Sequence, residues 1–246
     1  MKILVSDFGG LLRFHYWQPQ DLIPAACERS VRNFTLREWE RYSDNMPYSK
    51  TCDNLPVHET IYLRAQELAG EGNHASALAL FQRISEIEPQ AKLNPVAETQ
   101  RWERKAMALR EMRQVTNLLA EKKYAEAMKQ VDKVLGLDPE VDFYFQVNEL
   151  CWDGTLNGQA SRVLRACDIA VERSRGRKNG WMMRDNRGIA RALTNNAAGA
   201  IEDFEYAIHN VDSIDSADFK VTRQSWVDAL KAGNHPFSEE LLNSLH

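Results

Sequence analysis

The chain has 246 residues, of which 43% are hydrophobic and 27% are charged, so it is too apolar to be disordered. Its net charge of −4 gives no general attraction to nucleic acid or to anionic lipid, and we do not expect a nucleic-acid partner. No apolar run approaches the roughly 20 residues that cross a bilayer, and the start lacks a signal-peptide core. We therefore expect a cytoplasmic protein with no membrane contact.

The N-terminal segment 1–17 is β-prone, unlike the rest of the chain. Two runs rich in branched and aromatic residues, 2–6 and 11–17, flank the turn signal of residues 7–10. Two such runs around a glycine-containing turn predict a β-hairpin over 1–17.

Short helices and a loop are predicted over 18–56. Asp21 can cap a first helix, and Thr35 with Glu38 in the third position after it forms a capping box for a second. Residues 43–57 are rich in Ser, Asp, Asn and Pro, which indicates a loop.

Residues 57–212 show helical signals with internal repetition. In the clearest unit Gly188 lies on one helix, and Ala200, Phe204 and Ala207 share one face of the next. Small residues at these places let two antiparallel helices approach closely. This arrangement resembles the tetratricopeptide repeat.

Two earlier stretches have the same layout and are closed by Pro89 and Pro139, and a third resembles them without the closing proline. Their residues are Ala65, Leu68 and Gly72 with Ala77, Phe81 and Ile84; Leu118 and Tyr124 with Ala127, Val131 and Val134; and Cys151 and Gly158 with Val163, Cys167 and Ala170. The intervals between the equivalent positions 77, 127, 163 and 200 are uneven, and the first is much longer than the usual period of about 34. An insertion near 90–106 explains the long first interval, and 97–121 can be one long helix.

The fold class that follows is mainly α, an antiparallel helix-pair solenoid with a short N-terminal β-hairpin. The domains are the hairpin at 1–17, the short helices and loop at 18–56, the repeats at 57–212 and capping helices at 213–246. A stack of three or more pairs buries one continuous core.

The segments around the repeats carry a second resemblance. Residues such as Asn33-Phe34-Thr35, Glu38-Trp39 and Trp226 are similar to the C-terminal region of large bacterial signalling proteins. Those proteins join WD repeats, a nucleotide-binding switch domain and an effector domain. The resemblance covers 1–56 and about 215–246 and implies a signalling context, with no catalytic residues in this chain.

The four cysteines predict no special chemistry. Cys27, Cys52, Cys151 and Cys167 are scattered, and no two form the Cys-x-x-Cys pair of zinc and redox sites. We expect four reduced, mostly buried thiols. A Cys/His hydrolase is a remote alternative, because no local pattern around these cysteines indicates a nucleophile. We thus expect no enzyme, no metal and no cofactor.

The repeats favour a scaffold or adaptor that binds a protein or peptide on a concave helical surface. The alternative is a regulatory or sensor module of a larger bacterial signalling or defence protein with a separate effector domain. In tetratricopeptide repeats the first helix of each pair lines the concave face. The residues expected there are Tyr62, Gln66, Met112, Thr116, Asn148, Trp152, Asp185 and Ile189.

The strongest cluster of positive charge follows a predicted helix end. It consists of Arg173, Arg175, Arg177 and Lys178. Cations at a helix C-terminus complement the helix dipole and stay solvated, which is the simpler interpretation. A phosphate or RNA contact is the alternative, although no aromatic residues interleave the cluster.

Overall fold

The structure, a computed structural model, describes residues 2–6, 9, 12–16, 18–44, 46–211 and 216–245. Strands β1 (Lys2–Ser6) and β2 (Leu12–Tyr16) pair antiparallel, with Lys2 opposite Tyr16. Asp7, Phe8 and Gly10 of the predicted turn lie outside the described residues.

The described remainder of the chain is mainly helical, and most of its helices follow one another through short turns. The helices are α1 (Pro19–Cys27), α2 (Leu36–Tyr42), α3 (Glu59–Gly70), α4 (His74–Ile87), α5 (Pro95–Ala120), α6 (Tyr124–Leu137), α7 (Tyr144–Leu156), α8 (Ala160–Arg173), α9 (Gly180–Leu193), α10 (Ala197–Asn210), α11 (Ser216–Lys231) and α12 (Glu239–Ser244). None of those in the described part of the chain is long and apolar enough to span a membrane.

Two local predictions are confirmed in the helices. Thr35 caps α2, because its hydroxyl accepts from the Glu38 amide at 3.2 Å while the Glu38 carboxylate accepts from the Thr35 amide at 2.8 Å. The long helix predicted over 97–121 is α5, which runs unbroken for 26 residues.

The chain divides into two compact units, residues 1–106 and 107–246, with the boundary inside α5. In the first unit α3 packs on α4, and Ile61, Ala65, Phe81 and Ile84 form the centre of its core. The buried positions recur at helical spacing, so each helix buries one face.

The second unit repeats the helix pair three times. The pairs are α5–α6, α7–α8 and α9–α10, and α11 packs on α10. In the last pair a Cβ placed on Gly188 would lie 2.7 Å from the Phe204 ring, so only glycine permits this approach. A Cβ placed on Gly154 in α7 would lie 2.5 Å from Val163 on α8. These contacts confirm the predicted role of small residues.

A group of buried charges joins the helices of the last pairs. Arg187 on α9 donates two hydrogen bonds of 2.8 Å to the fully buried carboxylate of Asp203 on α10. Arg191 lies 3.0 Å from the same carboxylate, and Arg187 reaches Asp168 on α8 at 3.0 Å. A buried carboxylate that is paired in this way fixes the relative position of the helices it joins.

The expectation of four reduced thiols was wrong for this structure, in which all four cysteines form disulfides. Cys27 at the end of α1 is bonded to Cys52, and Cys151 on α7 to Cys167 on α8. A search for Cys-x-x-Cys misses both pairs, because their separations of 25 and 16 residues are closed by tertiary packing.

Candidate protein-binding surface

The residues predicted to line a concave face fall at two equivalent positions in the first helix of each helix pair. Met112, Asn148 and Asp185 occupy the earlier position, since they precede Ala127, Val163 and Ala200 by one constant interval. All three are buried. They therefore support packing and do not offer a surface to a partner, which corrects the prediction for these three positions.

Residues at this position are buried because the position faces a following helix of the stack. The side-chain amide of Asn186 on α9 donates to Asn148 on α7 at 3.0 Å. Arg223 on α11 donates two hydrogen bonds, of 3.0 and 2.7 Å, to Asp185 on α9. Burial raises the pKa of the Asp185 carboxyl, and the Arg223 guanidinium opposes that rise.

The later predicted position lies one helical turn further along each first helix, and the residues that occupy it differ in exposure. Thr116 is exposed, Trp152 is half-buried and Ile189 is completely buried in the core. Ile189 is therefore also a packing residue. In the second unit only Thr116 and Trp152, among the predicted residues, keep surface that a partner can contact.

The remaining two predicted residues lie in the first unit. Tyr62 and Gln66 are both half-buried on α3. The Tyr62 hydroxyl donates to the Glu88 carboxylate at 3.3 Å, and burial together with that charge raises the pKa of Tyr62 to about 12. Tyr62 is thus tied into its own unit.

The structure brings Thr116 and Trp152 together at an open cleft between α5 and α7. The cleft has a volume of about 420 Å³. Its lining residues are Thr116, Leu119, Ala120, Lys122, Glu149, Trp152 and Asp153. The floor is apolar and the rim carries charges of both signs, a combination that suits recognition of a protein segment.

Hydrogen bonds fix the position of the rim. The Lys122 ammonium donates to the side-chain oxygen of Asn157 at 3.0 Å. The Tyr124 hydroxyl donates to Asp153 at 2.7 Å, and burial followed by this carboxylate raises the pKa of Tyr124. Glu149 is exposed and points its charge to solvent.

A row of exposed apolar side chains was missed by the sequence analysis. Leu109 on α5, Phe145 on α7 and Met182 on α9 are 48%, 50% and 39% exposed. All three precede the reference positions 127, 163 and 200 by one constant interval, so they occupy the same register of successive first helices. We call these three residues the apolar row. Their equal spacing from the reference positions is a sequence signal by which these residues could have been found.

The basic cluster is engaged in local structure. Arg173 donates to the carbonyl of Pro139, and Arg177 donates to Asp142 at 2.8 Å while it stacks 4.3 Å from the Tyr144 ring. These contacts join the end of α8 to the loop before α7. They favour the structural interpretation over a phosphate site.

Within the described residues no group of three or more His, Cys, Asp or Glu side chains is placed to hold a metal ion.

Comparison with known proteins finds a likeness in structure. No protein-family model and no curated protein matches the sequence. A solved structure, the crystal structure of the P58(IPK) TPR domain, is similar to this chain with a TM-score of 0.37 and 14% sequence identity. The match covers 76% of this chain and 47% of that one. None of the comparisons supports the resemblance of residues 1–56 and 215–246 to bacterial signalling proteins.

Proposed function

We propose that the second unit binds a segment of another protein across its successive first helices, α5, α7 and α9. The observation that carries the proposal is the apolar row. A single exposed apolar side chain is ordinary on a protein surface, but three at one register of three successive first helices form a repeated apolar feature that one extended partner segment can follow. The role is binding, and the chain acts as a scaffold or adaptor.

The size of the effect follows from the exposed area. Leu109, Phe145 and Met182 are each between about two fifths and one half exposed. Full burial of such a side chain stabilises by about 1.5–3 kcal/mol, so covering the exposed part contributes about 1 kcal/mol each. The row contributes about 3 kcal/mol, which corresponds to about 100-fold in Kd.

The cleft beside the row supplies selectivity. Trp152 offers a half-buried ring against which an apolar side chain of the partner packs. Glu149 stands exposed at its rim and favours a partner segment with a Lys or Arg next to that apolar residue. The partner is thus a short segment with several apolar side chains and a basic residue next to the one that packs on Trp152.

Selection from a random peptide library on the purified full chain tests the proposal. The triple variant Leu109→Ser/Phe145→Ser/Met182→Ser is expected to bind the selected peptides about 100-fold more weakly. The matched control is Val221→Ser, which removes a 70% exposed apolar residue on α11. Unfolding curves of both variants must match that of the wild type. Equal binding by the triple variant and the control would show that the row is not the contact surface.

The glutamate at the rim gives a second, independent test of the same proposal. Glu149→Lys should shift the selected peptides from basic to acidic residues beside the apolar anchor, because the sign of the rim charge is reversed. If the selected peptides keep the same consensus sequence, Glu149 does not contribute to the binding surface. Met112 is unsuitable for such tests, because it is buried in the core and its replacement destabilises the fold.

The alternative proposal is a regulatory or sensor module of a larger bacterial signalling protein. Its supporting observation is the two-stranded sheet of β1 and β2, since an isolated hairpin is marginal in water and gains from further strands. An immunoblot of source cells with an antibody to α9–α10 distinguishes the two proposals. A band near 28.2 kDa favours the free adaptor, and a much larger band favours the module.

A further inference from the structure

The two disulfides differ in the access that solvent has to their sulfur atoms. Cys151 and Cys167 have no exposed surface. Cys27 is only half-buried, and it lines an open cleft of about 390 Å³ together with Cys52. Thiol–disulfide exchange requires that an attacking thiolate reach one sulfur, so accessibility favours exchange at the Cys27–Cys52 bond.

Helix α1 buries little of its apolar surface. No described side chain of α1 is buried, and Leu22 and Ile23 are 53% and 47% exposed. The helix contacts β2, and its other side forms one wall of the cleft. Because so little apolar surface is covered, the covalent bond carries much of the attachment.

The segment on the far side of the cleft is held independently of the disulfide. The side-chain nitrogen of Asn33 donates to the carbonyls of Cys52, Leu55 and Pro56 at 3.0–3.1 Å. Its side-chain oxygen accepts from the amides of Thr51 and Cys52 at 3.0 and 2.9 Å. Asn33 is itself buried, so this segment keeps its conformation when the bond to Cys27 opens.

The chain between α1 and Asn33 provides a natural hinge. Residues 28–32 are exposed. Arg32 then donates two hydrogen bonds, of 2.7 and 2.9 Å, to the Glu38 carboxylate, which anchors the chain to α2. A movement of α1 is therefore not transmitted along the chain beyond Arg32.

We propose that Cys27–Cys52 is a reducible tether whose opening releases α1 without unfolding the rest of the first unit. A thiolate of a dithiol reductant attacks the sulfur of Cys27, the more exposed of the two residues, and Cys52 leaves as a thiolate that takes up a proton. The second thiol of the reductant then displaces Cys27. The protein gains two electrons and two protons, and the reductant becomes a disulfide. Cys151–Cys167 stays closed because no thiolate reaches it.

The full chain, treated with dithiothreitol under native conditions, tests the proposal. Mass spectrometry after alkylation should find Cys27 and Cys52 labelled at least about 100-fold faster than Cys151 and Cys167. Hydrogen exchange of amides 20–30 should accelerate at least about tenfold, while exchange in α3 and α4 stays unchanged. Free thiols before reduction, equal labelling of both pairs, or unchanged exchange at 20–30 would each overturn the tether.

Two double variants make the experiment specific. Cys27→Ser/Cys52→Ser should show the fast exchange of 20–30 with no reductant added. Cys151→Val/Cys167→Val copies the Val115 and Val131 pair of the preceding repeat and should keep the slow exchange until it is reduced. A Cys27→Ser/Cys52→Ser chain that exchanges like the oxidised wild type would show that other contacts hold α1.

Discussion

Replacement of Gly188 by alanine tests the closest helix contact of the last repeat pair. A Cβ at this position would lie 2.7, 2.9 and 3.0 Å from three ring atoms of Phe204. The Phe204 ring is fully buried, and it packs with its centroid 5.5 Å from Trp226 and 6.2 Å from Phe237. The ring cannot move away without displacing both neighbours, so the added methyl group strains the α9–α10 contact.

The sign of the effect depends on two opposed terms. Alanine is favoured over glycine inside a helix by about 1 kcal/mol. Overpacking of a well-packed core costs about 1–3 kcal/mol, and the close approach to three ring atoms places this site in the upper half of that range. Gly188→Ala should therefore lower the free energy of unfolding by about 1–2 kcal/mol.

Gly136 on α6 is the matched control. A Cβ there would meet no atom within 4 Å, so only the helix preference changes. Gly136→Ala should stabilise by about 0.5–1 kcal/mol. The two substitutions are chemically identical and should have effects of opposite sign.

Urea unfolding of the full chain, followed by far-ultraviolet circular dichroism, measures both effects. In a Phe204→Leu background the smaller side chain leaves room for the methyl group. The destabilisation by Gly188→Ala should therefore shrink, with a coupling free energy of about 1 kcal/mol. Equal stabilisation by Gly188→Ala and Gly136→Ala would refute the reasoning from the close contact.

Three further predictions follow from the charges and the buried disulfide. Asp203→Ala should lower the free energy of unfolding by about 2–3 kcal/mol, because it removes the buried carboxylate that Arg187 and Arg191 both contact and leaves them only the exposed Asp168 as an acidic partner; a loss below about 1 kcal/mol in urea unfolding would contradict this. Cys151→Val/Cys167→Val should cost about 3 kcal/mol, the chain-entropy value for a loop of this length, with the helical circular dichroism retained. The pKa of Glu38 is held at about 2 by the hydrogen bonds from Arg32. Because this folded-state pKa lies below the unfolded one, the stabilisation is present above pH ~4 and is lost as the pH falls through about 2. An NMR titration of Glu38 in the wild type and in Arg32→Ala checks this, and an unchanged pKa in the variant would exclude Arg32 as the cause.

The helix pairs were predictable from the sequence because small and large residues alternate at fixed spacing. The disulfide at Cys151–Cys167 was predictable in principle by the same rule. Other pairs with the same separation along the chain are Ala65 with Phe81, Val115 with Val131 and Gly188 with Phe204. Gly188 and Phe204 are in direct contact. Since the cysteines occupy the same two positions of the third pair, their bond follows from repeat alignment, whereas a motif search cannot detect it.

The apolar row lies less than one helical turn from Met112, Asn148 and Asp185, which the sequence analysis assigned to the concave face. Exposed Phe145 and buried Asn148 are separated by less than one turn of α7, so a small shift in the assumed helix face exchanges surface for core. The position of Asn148 is buried because α9 packs against α7, and Asn186 bonds to it there. The expectation came from the general layout of first helices in tetratricopeptide repeats, which does not fix which turn of each helix faces its neighbour.

The same distinction between surface and core makes the predicted cytoplasmic localisation testable. Disulfides persist mainly in oxidising compartments, and reductants of the cytosol act on those that they can reach. In a cytosolic chain the accessible Cys27–Cys52 pair should be found reduced, because thiols of the cytosol reach any bond that forms there, whereas an exported chain should keep both pairs. Acid-quenched alkylation of source cells, with mass spectrometry of each pair, separates the two cases. Reduction of the buried pair alone would contradict the argument from access.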